Sequence, residues 1–237
     1  MGRNNWFEFK QFRIEQQRAA MKVGTDGVLL GAWTPVRDSR RILDIGTGTG
    51  LIALMLAQRS DAIIDAVEID KPASEEAKLN FEQSRWSDRL KVFHTDFQLF
   101  AELSAESYDL IVSNPPFFVN SLKTSSAALS VARHNDMLTF GQLISGACKL
   151  LRKSGRLSLI LPFESFAEFR ESARLSGFYL HRTTRVIPRK GKLPKRILME
   201  FSLETGYPLG DELTILDGEG EYTEEYRALT APYYPAF

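Results

Sequence analysis

Asn114-Pro115-Pro116-Phe117 is the stretch of this chain whose residue types are best suited to chemistry. It follows Tyr108-Asp109-Leu110-Ile111-Val112-Ser113, an apolar run that reads as a buried strand. Two consecutive prolines remove two N–H donors and fix two φ angles, so a central strand has to stop there. The turn that replaces it presents one side-chain amide, free backbone carbonyls and one aromatic ring. That set suits a planar group bearing an NH2. The amide oxygen of Asn114 and the carbonyl of Pro115 each accept one N–H, while the Phe117 ring stacks on the face. Phe118 is next in line to wall the pocket.

A second cluster lies upstream, in Leu43-Asp44-Ile45-Gly46-Thr47-Gly48-Thr49-Gly50. Glycines between a strand and a helix permit a tight turn and let a ligand approach the backbone, and the helix N-terminus offers free N–H groups. The dinucleotide fingerprint puts its third glycine one residue later, where this chain has Leu51. The loop is therefore a candidate cofactor site of another kind, with Asp44, Gly46, Thr47, Gly48, Thr49 and Gly50 as its members. Glu68 lies 22 residues after Gly46, close to the ~20 expected for an acid that binds ribose hydroxyls. Strand alternation points Glu68 and Asp70 the same way, so spacing does not choose between them, although Asp70 also reads as a helix N-cap. Asp96 follows the third strand and on its own reads as the N-cap of the next short helix. His94 reads as a packing residue at a strand end.

These residues need a scaffold that brings strand ends together. Strands are expected at Arg41–Ile45, Ile63–Ile69, Leu90–His94, Leu110–Ser113, Arg156–Leu161, Tyr179–Ile187 and Arg196–Leu203. Helices are expected at Gly50–Arg59, Pro72–Ser84, Met137–Leu151 and Phe163–Leu175, the last ending at Gly177. Alternating strands and helices imply an α/β fold: a seven-stranded, mainly parallel sheet with helices on both faces and an antiparallel last strand. Sites in such sheets form at the carboxyl ends of the strands, and Gly46–Gly50, Glu68, Asp96 and Asn114–Phe117 all fall there. Residues 1–237 are read as one domain. Residues 1–40 form an N-terminal extension, 41–203 the core, and 204–237 a C-terminal tail with a short surface helix near Glu221–Arg227.

Composition narrows the classes. At 43% hydrophobic the chain can bury a core, and its net charge of zero means that nucleic-acid binding requires a local patch. The single cysteine, Cys148, excludes an intramolecular disulfide framework. No apolar run approaches the ~18 residues of a membrane span, and the segment Met1–Trp6 lacks an apolar signal region, so a soluble, cytoplasmic protein is expected. Three histidines form no convincing metal-ligand set or nucleophile triad, and no metal is expected.

The glycine spacing resembles the first motif of Rossmann-like S-adenosylmethionine-dependent methyltransferases. Asn-Pro-Pro-Phe resembles the motif of those that modify planar nitrogens, either base exocyclic amines or glutamine amides. Phe9-Lys10-Gln11-Phe12 and Met21-Lys22-Val23-Gly24-Thr25-Asp26-Gly27, together with Val67-Glu68-Ile69-Asp70, resemble bacterial tRNA adenine-N6 methyltransferases over nearly the whole chain. The resemblance is strongest to those acting beside the anticodon of tRNA1(Val). It implies S-adenosyl-L-methionine as cofactor and direct methyl transfer to N6 of an adenosine presented by the anticodon loop. It favours Glu68 as the ribose ligand and Asp96 as acceptor for the adenine amino group, and it places Lys22, Thr25 and Asp26 near the cofactor. From chemistry alone, Thr25-Asp26-Gly27 is equally a turn or a helix cap.

RNA would need cations. The best patch is Arg185, Arg189, Lys190, Lys192, Lys195 and Arg196, extended by Arg133-His134 and by Arg13, Arg18 and Lys22. A monomer is favoured, though no feature fixes the oligomeric state. Competing readings are a protein-glutamine N5-methyltransferase acting on release factors, an rRNA guanine-N2 methyltransferase, and a module that only binds. The first usually carries tyrosine in place of Phe117 and a larger N-terminal domain.

Overall fold

The structure is a computed structural model that describes residues 4–115 and 138–235. Its central sheet has eight strands, adjacent in the order β5 (Leu90–His94), β4 (Ile63–Glu68), β3 (Arg41–Ile45), β6 (Tyr108–Ser113), β7 (Leu151–Pro162), β9 (Arg196–Ser202), β8 (Tyr179–Arg189) and β10 (Leu209–Leu216). Every pairing is parallel except the two made by β9, which runs against both neighbours. A separate antiparallel pair, β1 (Trp6–Glu8) and β2 (Arg13–Glu15), precedes it.

Strand alternation sends side chains to two apolar layers. Ile42 joins the layer built by α1 (Thr25–Trp33), α2 (Leu51–Ala57) and Phe81 of α3 (Lys71–Glu82). Leu43 and Ile45 join the layer built by α4 (Phe97–Leu103), α5 (Phe140–Leu150) and α6 (Phe166–Leu175). From β3 the chain steps outward through β4 and β5, then returns to the other side of β3 as β6. The switch point therefore lies between β3 and β6, where open α/β sheets leave a crevice at their carboxyl edge. Ser113 Oγ donates to the Ile45 carbonyl at 2.9 Å across that switch.

Three elements depart from the expectations. Residues assigned to a tail form β10, which adds an eighth strand parallel to β8. Its charged, glycine-containing sequence has only Leu213 well buried, which gives an edge strand little apolar alternation to read. The expected surface helix becomes α7 (Glu224–Thr230), with Tyr226 and Thr230 buried, and the following Tyr233 donates from its hydroxyl to the Met55 carbonyl at 3.1 Å. Thr25-Asp26-Gly27 opens α1, which is buried continuously from Gly27 to Trp33 and so lacks the periodicity that marks a surface helix. Gly31 lets α1 approach α2: a Cβ there would sit 2.7 Å from Met55 Sδ. Among the described residues no helix is long and apolar enough to cross a membrane.

Candidate active site

A cavity of about 800 Å³ opens at the carboxyl edge, over the switch between β3 and β6. Its floor is the glycine loop. Gly46, Gly48 and Gly50 have φ of 69°, 57° and 84°, a region that side chains disfavour. Among the described residues, a Cβ on Gly46 or Gly48 would meet no atom within 4 Å, whereas one on Gly50 would lie 2.5 Å from Phe81 Cε1. Gly46 and Gly48 thus keep the backbone open to the cavity, and Gly50 sits behind them, capping α2 and packing on Phe81. The Gly46 and Thr47 amides both donate to the Val67 carbonyl, at 2.9 and 3.2 Å.

The acids left open by spacing take different positions. Glu68 is 8% exposed and lines the cavity. Its Oε2 accepts from the Gly48 amide at 2.8 Å and its Oε1 from the Asp70 amide at 2.9 Å, so one carboxylate braces the loop from the end of β4. Asp70 caps α3, accepting from the Ala73 amide at 3.0 Å. Asp96 also lines the cavity, and its Oδ1 caps α4 by accepting from the Gln98 and Leu99 amides at 2.8 and 3.1 Å. Both sequence readings of Asp96 are therefore compatible, because Oδ2 takes no part in the cap. Asp44 lies under the loop rather than on the cavity wall. Its Oδ2 accepts from the Thr47 hydroxyl at 2.6 Å, and burial raises its carboxyl pKa to about 7 against that hydrogen bond.

Among the described residues, Asn114 Oδ1 is a buried acceptor at the cavity without a hydrogen-bond partner; the other side-chain oxygens in that state belong to Asp44, Gln58, Ser158 and Glu200, and for Asp44 the Ala53 amide is close enough to lower the carboxyl pKa. An unpaired buried acceptor is costly, and such atoms concentrate where a ligand donates. Asn114 and Pro115 line the cavity directly after β6. Pro116, Phe117, Phe118, Arg133 and His134 lie outside the described residues.

The N-terminal segment adds to the wall: Lys22, Thr25 and Asp26 all line the cavity, as do Thr47 and Thr49 of the loop. Asp26 Oδ2 accepts from Arg196 Nε at 2.7 Å, which brings the start of β9 into the same wall. Two buried polar residues of α3, neither singled out from the sequence, hold this segment. Glu76 accepts from the Gln17, Arg18 and Ala19 amides, at 2.5, 3.0 and 2.9 Å. Asn80 accepts from the Glu15 amide and donates to the Glu15 and Thr49 carbonyls. Their signal was available: both share the helix face of Ala73, Ala77 and Phe81, where a polar side chain needs a partner.

The basic patch divides. Arg185 pairs with Glu212, Arg189 donates to the Asp217 and Gly218 carbonyls, and Arg196 faces the cavity. Lys190, Lys192 and Lys195 stand exposed on the β8–β9 turn, outside the cavity. Arg13 pairs with Glu15 and Arg18 with Glu75. Among the described residues no group of three or more His, Cys, Asp or Glu side chains could hold a metal ion.

Comparison with known proteins narrows the chemistry. Residues 22–171 match the methyltransferase small domain family. The chain is 46% identical over 98% of its length to a tRNA1(Val) (adenine(37)-N6)-methyltransferase of Bacteroides thetaiotaomicron, 98% of which is covered. It is 49% identical over 97% of its length to the protein of the same name from Trichodesmium erythraeum, again covering 98%. A solved predicted O-methyltransferase from Agrobacterium tumefaciens superposes with a TM-score of 0.66 at 21% identity, covering 88% of this chain and 96% of that one. A methyltransferase from Pyrococcus furiosus gives 0.56 at 20% identity, covering 74% and 81%. At those identities the likeness shows a shared Rossmann-like fold.

Proposed function

The chain belongs to the methyltransferase small domain family, and on that premise we propose that it methylates the exocyclic N6 of adenine 37, beside the anticodon of tRNA1(Val). The observation that carries this reading is Asn114 Oδ1, a buried acceptor without a partner among the described residues, in the cavity that the glycine loop lines.

The cofactor of this family is S-adenosyl-L-methionine, and the residues present fit it. Gly46 and Gly48 leave room where side chains would intrude, and the Thr47 and Thr49 backbone follows the same surface. Glu68 has lone pairs left for ribose hydroxyls after accepting two amides. Asp96 Oδ2 is available to an adenine amino group. Lys22, Thr25 and Asp26 add to the cavity wall. Asp44 supports the loop from beneath through the Thr47 hydroxyl and so acts on the cofactor site by shaping it, and Gly50 holds the loop against Phe81. When bound, S-adenosylmethionine supplies a methyl group on a sulfonium, electrophilic enough that the protein need form no covalent bond.

The chain's own residues then orient the target amine. Asn114 Oδ1 accepts one N–H and the Pro115 carbonyl the other, fixing the nitrogen lone pair and stabilising positive charge as it builds there. Pro116 stiffens the turn, Phe117 stacks on the base and Phe118 walls the pocket. No general base is needed beforehand, because the proton leaves after transfer. Lys190, Lys192, Lys195 and Arg189 contact phosphates of the anticodon loop, Arg133-His134 extends that contact, and Arg196 faces the nucleotide at the cavity mouth. The whole chain, including residues 1–40 and 204–237, acts as one domain, as a cytoplasmic monomer.

The test is incubation with labelled S-adenosylmethionine and, in parallel, unmodified tRNA, ribosomal RNA and a release factor, with the product mapped by mass spectrometry. N6-methyladenosine at position 37 is expected; label only on protein glutamine or on a ribosomal guanine would overturn the reading.

A further inference from the structure

The turn between β8 and β9 carries an apolar side chain where the site meets solvent. Because β8 runs parallel to β7, β6 and β3, this turn lies at the same carboxyl edge as the cavity. Leu193 at its tip is 81% exposed, more than Met21 (57%) or Ile69 (48%), which line the cavity at that edge. Tyr207, between β9 and β10, and Leu103, the last residue of α4, are also highly exposed but lie at the opposite edge.

Leu193 is held, not loosely displayed. Gly191 turns the chain with φ 81°, Lys192 N donates to the Arg189 carbonyl at 2.9 Å, and Lys195 N donates to the Val186 carbonyl at 2.9 Å. The end of β10 and the loop after it clamp the turn: Lys190 N donates to the Leu216 carbonyl at 2.8 Å and the Arg189 guanidinium to the Gly218 carbonyl at 2.5 Å. Pro194 stiffens the next position. Arg196, three residues on, lines the cavity, so Leu193 lies within roughly 11 Å of that wall along the chain. Lys190, Lys192 and Lys195 surround it with exposed positive charge.

This exposed leucine amid lysines buries little and, among the described residues, belongs to neither apolar layer. It suits a partner whose surface alternates phosphates with apolar faces, which is a nucleic acid with a base step opened. We infer that Leu193 is a wedge: it enters the anticodon loop beside the target adenosine, takes the stacking place the base leaves, and keeps that base turned toward Asn114. The inference rests on the tRNA reading above. In that reading the adenosine must leave its stack, and apolar side chains inserted at base steps are one physical means of compensating that loss. The lysines grip the flanking phosphates while Leu193 contacts the neighbouring base.

Two RNA substrates separate this role from simple contact: the anticodon stem-loop, in which the target is stacked, and an unstructured oligonucleotide containing the same adenosine. Leu193→Ala should lower kcat/KM on the stem-loop by roughly ten-fold, the scale of one lost base-stacking contact, and by a distinctly smaller factor on the unstructured RNA, which has no stack to open. A 2-aminopurine placed next to the target should brighten when wild-type protein binds and stay dim with Leu193→Ala. Leu193→Phe should restore both signals. Equal rates for wild type and Leu193→Ala on the stem-loop, or equal losses on both RNAs, would overturn the wedge while leaving tRNA methylation standing. If the wild-type protein methylates neither RNA, the tRNA reading itself fails and the wedge with it.

Discussion

Glu68 Oε2 accepts a hydrogen bond from the Gly48 amide at 2.8 Å, so the strand-end acid and the glycine loop form one unit rather than two independent ligands. Its other oxygen holds the Asp70 amide, where α3 begins. Glu68→Ala should therefore loosen the loop as well as remove a ribose acceptor. Leaving two amides without their acceptor costs on the order of 1–3 kcal/mol each. Calorimetry should show cofactor affinity lowered by at least ten-fold, together with a reduced Tm. Glu68→Gln keeps one good acceptor and should fall between. Unchanged affinity in the alanine variant would rule out this role.

Asn114→Ala removes an acceptor that is preorganised and already buried. Turnover should drop by about 10²–10³, the scale seen when one transition-state hydrogen bond is lost. Cofactor binding should survive, because the glycine loop and Glu68 are untouched. Equal loss of cofactor binding and of kcat would show that Asn114 serves the cofactor instead of the amine.

The three exposed lysines of the β8–β9 turn make a salt prediction. Replacing Lys190, Lys192 and Lys195 with glutamine should weaken tRNA binding. It should also reduce the slope of log affinity against log salt by about 2, at ~0.7–0.9 per phosphate contact. A slope that does not move would place the RNA elsewhere.

Asp44 gives a pH prediction. Burial raises its folded-state pKa from 3.8 to about 7. The folded state then holds a proton that the unfolded state releases. This group's favourable contribution is complete below about 4 and is lost as pH rises through about 7. Asp44→Asn keeps an acceptor for the Thr47 hydroxyl and should flatten that decline. Thermal unfolding of both proteins from pH 4 to 8 measures it, and parallel curves would contradict the assignment.

Glu76→Ala leaves the Gln17, Arg18 and Ala19 amides without their shared acceptor, at a cost of about 2–4 kcal/mol if part of the loss is made good by water. Limited proteolysis should then cut near residues 15–19, and cofactor affinity should fall because Lys22 and Thr25 follow that segment. Resistance equal to the wild type would show that the segment is held by other contacts.

The sequence by itself determined the parallel sheet, the order of its strand-end residues and the antiparallel course of β9 within that sheet. Each of these depends on local signals: the apolar Ile42, Leu43 and Ile45, the prolines that follow Asn114, the glycines after Ile45. It also located Asn114, Glu68 and Asp96 beside one cavity, because strand ends in this topology converge on the switch point. It could not separate the roles of Glu68 and Asp70, which depend on which amides each carboxylate reaches. Nor could it reveal α1, whose apolar residues face protein on all sides, or β10, an edge strand with little apolar pattern. The split of the basic patch was decided by partners far away in the chain, Asp26 for Arg196 and Gly218 for Arg189. Local residue types fix where the backbone turns and what it displays; which donor meets which acceptor across many residues is settled only when the packed layers bring them together.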